Sequence, residues 1–74
     1  KYDVVCANLF YDILIANASR IVARVKLVGA MVLSGILDRQ FDEVREVFKG
    51  QRMCLDRARK QREWRSGRFV FTDR

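Results

Sequence analysis

The sequence has no histidine and no proline, and only two of its 74 residues are cysteines. The absence of histidine excludes Ser-His-Asp and Cys-His catalysis. Cys6 and Cys54 lack the spacing of metal ligands, so we expect no metal site and favour a reduced cytosolic pair over a disulfide. No apolar run approaches the roughly 20 residues that span a bilayer, and no signal-peptide pattern opens the chain. We therefore predict a cytoplasmic protein without a membrane partner.

Apolar and basic residues dominate what is present. Half of the residues are hydrophobic, which predicts a single small globular domain rather than a disordered chain. Lysine and arginine number 15 against 9 acidic residues, giving a net charge of +6. Residues 52–74 carry most of this excess, with eight basic side chains against three acidic ones, a net of +5. One interpretation of this pattern is that the chain has a basic surface near its end, which binds a partner.

The apolar run at residues 3–7 predicts a strand buried on both faces, with Cys6 as a small core residue. The run ends at Asn8, and the following segment is helical in pattern. Ligands of open α/β sheets bind outside the carboxyl ends of the strands, so Asn8 is a candidate site residue. Spacing alone favours the alternative, in which Asn8 caps the helix or bonds a turn. Because a core strand opens the chain, we interpret the chain as a fragment.

The next segments alternate between helical and strand patterns. A helix capped by Asp12 is predicted to run to about Lys26, with Gly29 just past its end. A second buried strand is predicted at residues 30–33 and is ended by Ser34 and Gly35. Asp38 is the predicted cap of a second helix. The side chains of this helix expected to face the core are Leu37, Phe41, Val44 and Phe48.

The residue pattern in the last third of the chain predicts an antiparallel pair of strands. Residues 52–56 alternate as a less buried strand, and residues 69–72 form another, with Gly67 as a bend before it. The polar run at residues 57–62 is suited to a hairpin tip. The predicted order is therefore βαβαββ, in which right-handed crossovers join parallel strands before the hairpin.

Three segments at these spacings resemble one known family. Tyr2–Leu9 is similar to a fourth strand ending in "D-V-V-x-A-N-I/L". Met31–Leu37 is similar to a fifth strand ending in "L-S-G-I-L", followed by a helix with a "D-E-V" like that at residues 42–44. Glu63-Trp64 is similar to an "E-W" before the last strand. The chain thus resembles the C-terminal half of class I S-adenosylmethionine-dependent methyltransferases, most of all the bacterial PrmA type that methylates the large-subunit ribosomal protein L-eleven. It departs where the family has prolines, near Ile13 and before Gly29.

The resemblance implies a fold and an activity. Residues 1–74 would be the C-terminal portion of a Rossmann-like methyltransferase domain, without the half that carries the glycine-rich loop and the acidic residue that hold S-adenosylmethionine. The implied enzyme methylates an amino group of a ribosomal protein, and the isolated chain is expected to be inactive. With the resemblance, the functional interpretation of Asn8 becomes the favoured one.

The predicted site lies on the substrate side. Asn8 is the catalytic candidate, because its amide oxygen can accept a hydrogen bond from the amine and align it for attack. Ser34 and Gly35 are candidates for lining the substrate cleft, although a simple turn explains them equally well. Trp64 is a candidate for the cleft rim, although its pattern favours a core position. The substrate-binding prediction also includes Leu9 and Phe10.

Two further expectations concern partners. The basic hairpin with nearby aromatic residues could bind RNA, which makes a non-enzymatic RNA- or protein-binding module the alternative function. A solvated hairpin tip is the favoured explanation of the same charges. A sheet lacking cover on one face would expose residues such as Val4, Cys6 and Val32, so we also expect a homodimer or higher oligomer.

Overall fold

A single four-stranded sheet organises the protein. The computed structural model describes residues 1–72. Across the sheet the strand order is β1-β2-β4-β3, with β1 and β2 parallel and the other neighbours antiparallel. The predicted α/β class and βαβαββ order are confirmed, except that the first helix is divided in two. The elements are β1 (Tyr2–Ala7), α1 (Tyr11–Ala16), α2 (Ala18–Val22), β2 (Val25–Leu37), α3 (Asp38–Gly50), β3 (Met53–Gln61) and β4 (Trp64–Phe71).

The core lies between the helices and one face of the sheet. Helix α3 contributes Phe41, Val44 and Phe48, each at most 1% exposed, as the helical spacing of these residues predicted. The ring of Phe69 on β4 packs against this helix, with its centroid 6.4 Å from that of Phe41 and 5.8 Å from that of Phe48. This cluster fixes α3 across the middle of the sheet.

The first helix is shorter than predicted. Helical structure ends at Val22, and β2 already begins at Val25, whereas the sequence predicted a helix to about Lys26 and a strand confined to residues 30–33. The backbone explains this, because Tyr2 at the start of β1 pairs with Val25 and draws it into the sheet. Asp12 is not the cap: Phe10 occupies that position without a side-chain hydrogen bond, and Asp12 lies in the first turn.

Gly29 is also placed differently from the prediction. It lies within β2 rather than just past a helix end. An added Cβ would lie 2.5 Å from the backbone oxygen of Asp3, so the close approach of β1 and β2 requires glycine here.

The hairpin is longer and tighter than predicted. The polar run at residues 57–62 belongs almost entirely to β3, and the turn is confined to Arg62 and Glu63, where Arg62 adopts a φ of 57°. The prediction of a broad polar tip was wrong because these residues form a regular antiparallel ladder with β4. Gly67 is a buried residue of β4 rather than a bend, since an added Cβ would lie 2.9 Å from side-chain atoms of Phe41 and Leu55.

Among residues 1–72, no helix covers the other face of the sheet. Val4 is 57% exposed and Cys6 is exposed, so the prediction that β1 is buried on both faces, with Cys6 in the core, was wrong for this chain. Val32 on the neighbouring strand is half-buried. Cys54 is also exposed, and both cysteines are free. No helix within the part of the chain that the structure describes is long and apolar enough to cross a bilayer.

Candidate functional site

Asn8 lies at the carboxyl end of the two parallel strands. Ala7, the last residue of β1, pairs with Leu33 of β2, and Asn8 follows directly. Its side chain is exposed and makes no hydrogen bond to any residue in the range 1–72. The alternative role as a helix cap is not realised, because the cap position of α1 is Phe10. The amide is therefore available to a ligand.

Gly35 shapes the space around this amide. It interrupts the pairing of β2 with β4, whose register shifts between Leu33 and Ile36, and it adopts a φ of +74°. Glycine is the residue that adopts this left-handed conformation without steric cost. A Cβ added at Gly35 would collide with Oδ1 of Asn8 and lie 3.3 Å from its Cγ. The amide therefore occupies the space that a side chain at position 35 would fill.

A cleft of about 930 Å³ opens beside the amide. Its walls are aromatic and aliphatic, with Phe10 79% exposed and Trp64 47% exposed. The favoured core position for Trp64 was therefore wrong. Of the described residues that line the cleft, Asp12 alone is charged. The complete lining consists of Asn8, Leu9, Phe10, Tyr11, Asp12, Ile13, Gly35, Leu37, Gln40 and Trp64.

The structure brings most of the predicted site residues together. Asn8, Leu9, Phe10, Gly35 and Trp64 all line the one cleft, although they come from three separate parts of the chain. Their roles in binding and catalysis stay predictions.

The remaining predicted residue, Ser34, is half-buried and does not line the cleft. Sequence reasoning missed five lining residues, which are Tyr11, Asp12, Ile13, Leu37 and Gln40. The available signal for the first three was their place directly after Phe10. For Leu37 and Gln40 it was that α3 follows β2 without a loop, which places the first turn of this helix at the same edge of the sheet.

The arrangement suits an aliphatic amine. An amide oxygen can accept a hydrogen bond from an N–H group, apolar walls can cover an alkyl chain, and aromatic faces and a carboxylate attract a cation. No group of three or more His, Cys, Asp or Glu side chains that could hold a metal occurs among residues 1–72.

Comparison with known proteins identifies the family. The family model described as ribosomal protein L11 methyltransferase (PrmA) matches residues 1–71. The chain belongs to this family. A similar protein named ribosomal protein L11 methyltransferase from Desulfotalea psychrophila is 35% identical over 65 residues, covering 86% of this chain and 22% of that protein. One of the same name from Campylobacter concisus is 32% identical over 73 residues, covering 99% of this chain and 25% of that protein.

A solved structure shares the fold. The ribosomal protein L11 methylase of Lactobacillus delbrueckii subsp. bulgaricus superposes with a TM-score of 0.89 at 18% identity, covering 96% of this chain and 37% of that one. This structure shows the fold, and the family model together with the relatives confirms the predicted resemblance to the PrmA family. The chain spans about a quarter or less of the length of the two relatives described above.

Proposed function

We propose that residues 1–74 form the C-terminal, methyl-acceptor side of an S-adenosylmethionine-dependent methyltransferase that modifies an amino group of a ribosomal protein. One observation carries this proposal. The unpaired amide of Asn8 stands at a strand end over an apolar, aromatic cleft, in a chain whose family consists of methyltransferases. The relatives' names supply the ribosomal protein as the substrate class.

Asn8 would act by holding the acceptor nitrogen. Methyl transfer needs a neutral amine whose lone pair is aligned with the methyl group at near-attack distance. The Oδ1 atom of Asn8 would accept a hydrogen bond from the amine and fix its direction. Phe10 and Trp64 would cover the alkyl chain that carries the amine, and Asp12 would favour the approach of its protonated form. A carboxamide is not basic at neutral pH, so Asn8 does not itself remove the proton; the ammonium form would lose its proton to water, and Asn8 would then hold the neutral amine.

We infer that this chain supplies only an incomplete site for the cofactor. A glycine-rich turn and a carboxylate for the ribose are what the family resemblance requires, and the glycines at positions 29, 35, 50 and 67 are too widely spaced to form such a turn. Gly35 leaves room for an amide of this chain rather than for a ligand. We therefore propose that the cofactor is bound mainly by residues of the whole protein outside this chain, and that the chain alone is inactive.

Methyl transfer tests the proposal. A longer protein that includes this chain and an upstream half should transfer labelled methyl groups from S-adenosylmethionine to ribosomal protein L11. Prior acetylation of the amino groups of the substrate should abolish incorporation, while the 74-residue chain alone should incorporate none. Undiminished labelling of the acetylated substrate would contradict amino-group transfer, and absence of labelling by the longer protein would contradict the activity itself.

Other parts of the proposal concern location and association. A cytoplasmic location follows from a ribosomal protein substrate. The exposed Val4, Cys6 and their neighbours on the open face support self-association of the chain into a homodimer or higher oligomer. The alternative function, a non-enzymatic basic module that binds RNA or protein, draws on the charges of the β3–β4 hairpin. It explains neither Asn8 nor the cleft.

A further inference from the structure

The β3–β4 hairpin divides its basic residues between the two faces of the sheet. On the face that carries α3, Lys60 Nζ lies 3.2 Å from Asp38 Oδ2, and Arg65 Nε lies 3.6 Å from Asp38 Oδ1. The guanidinium of Arg65 also lies 4.3 Å from the ring centroid of Phe41. Lys60 and Arg65 therefore already have partners within the fold, Asp38 for both and Phe41 for Arg65.

A different set of cations lines a groove on the open face. Arg57 and Arg59 of β3 and Arg68 of β4 surround a groove of about 460 Å³, with Ser66 and Val32 also in its walls. We call it the arginine groove. In the strand register Arg57 is opposite Arg68 and Arg59 is opposite Ser66. Arg57 and Arg59 are both exposed.

The charges of the arginine groove are only partly balanced. Like charges directly opposite each other on neighbouring strands are destabilising, as for Arg57 and Arg68. The carboxylate of Asp56 pairs with Arg68. Arg57 and Arg59 form no ion pair with any residue of the described range 1–72. An anion bound in the groove would therefore supply the charge that the fold itself lacks.

We propose that the arginine groove binds the backbone of single-stranded RNA. All three cations are arginines, whose planar guanidinium groups bind phosphate through two hydrogen bonds. Arg57 and Arg59 are two residues apart on one strand, so their Cα atoms are separated by roughly 6.6 Å along a line, which suits a linear series of phosphates. Ser66, opposite Arg59 on β4, adds a hydroxyl donor to the groove.

An exposed aromatic ring favours RNA over an acidic peptide. Trp64 lines the Asn8 cleft rather than the groove, but it shares the alternation of β4 with Ser66 and Arg68 and is 47% exposed. Its ring can therefore stack on a base of an RNA strand that extends beyond Ser66. Side chains of an acidic peptide would find little apolar surface there, because Val32 and Ala58 are the small hydrophobic residues of the lining. RNA binding of this kind requires neither Asn8 nor a methyl donor, although it shares Trp64 with the proposed methyl-acceptor cleft.

Fluorescence anisotropy of a labelled oligouridine of about 12 nucleotides, titrated with the 74-residue chain, tests the proposal. The variant Arg57→Gln/Arg59→Gln should weaken binding by about tenfold or more. Between about 50 and 200 mM salt, it should also reduce the slope of log K against log salt by about 1.4. The matched control is Arg20→Gln/Arg45→Gln, which removes the same charge from exposed positions on α2 and α3. It should change the affinity by less than about threefold.

Three results would overturn the proposal: no binding by the unaltered chain, equal weakening by both variants, or binding of polyglutamate in the groove as tight as that of RNA. Thermal unfolding followed by circular dichroism establishes that each variant is folded. If the glutamine variant does not fold, Arg57→Lys/Arg59→Lys decides the question, because it keeps the charge and loses the paired hydrogen bonds. Weakening by about threefold or more supports the groove, and unchanged affinity contradicts it.

Discussion

Replacing Gly35 by alanine tests whether the absence of a side chain at this position is what allows the Asn8 amide to occupy its place. Gly35 has a φ of +74°, and an added methyl group would collide with the amide oxygen of Asn8. Gly35→Ala should therefore have two separate effects. It should strain the bulge in β2, and it should displace the Asn8 side chain, which is exposed and free to move away.

The size of the stability effect can be worked out from its parts. An alanine in the left-handed region costs roughly 1–2 kcal/mol. The lower entropy of the unfolded alanine chain offsets about 0.4–1 kcal/mol of this cost. The net loss in free energy of unfolding is then about 1 kcal/mol, which for a domain of this size lowers Tm by roughly 4–8 °C. Because Asn8 can move, the collision adds little to the loss of stability and acts mainly on the site.

Gly50→Ala is the matched control, since it makes the same substitution at the last residue of α3, where nothing lies within 4 Å of an added Cβ. It should leave stability unchanged or raise it by up to about 1 kcal/mol. The assays are thermal unfolding of the chain and methyl transfer by the longer protein. Gly35→Ala should lower both Tm and kcat, and Gly50→Ala neither. A Gly35→Ala protein with unchanged Tm and unchanged kcat would refute the reasoning.

Three further predictions concern the fold and its surfaces. Gly67→Ala should destabilise the chain by about 1–3 kcal/mol in urea unfolding, because the new methyl group overpacks against Phe41 and Leu55; an unchanged midpoint would argue against this contact. Asp38→Asn should cost at most about 1 kcal/mol, since its ion pairs with Lys60 and Arg65 are partly exposed, and the loss should shrink in high salt. Light scattering should find a dimer or larger species that dissociates when Val4 is changed to lysine, whereas a cooperative, monodisperse monomer would exclude self-association through the open face.

Hydrophobic periodicity predicted the helices and strands whose buried face is set by residues close together in the sequence. The spacing of Phe41, Val44 and Phe48 specified α3 and its core face, because one helix turn brings these side chains onto one stripe. The same reasoning failed at residues 23–29, since Val25 fits a helical stripe and a strand equally well. There the decision lies in pairing with Tyr2, a contact between distant parts of the chain.

The candidate site was predictable where it follows strand ends. Asn8 and Gly35 each end or interrupt a strand, and parallel neighbours bring such positions to one edge of the sheet. The order of elements brings the first turn of α3 to this edge, but the residues of that turn that line the cleft depend on how α3 turns away from β2, so Gln40 could not be singled out. The arginine groove could not be predicted for another reason. The sequence of residues 57–62 is typical of a solvated hairpin tip, and only the strand register shows that Arg57 and Arg59 lie on the opposite face of the sheet from Lys60.

The central claim is that the Asn8 amide holds the methyl-accepting amine. The most direct test is the steady-state rate of methyl transfer to the ribosomal protein by the longer protein carrying Asn8→Ala. The control is Asn17→Ala, which removes the other asparagine of the chain, whose Nδ2 donates to the Ile13 carbonyl 2.8 Å away and which does not line the cleft. We predict that Asn8→Ala lowers kcat by roughly 10²-fold while the Kd for S-adenosylmethionine is unchanged, and that Asn17→Ala keeps kcat. A kcat for Asn8→Ala equal to that of the control would contradict the claim.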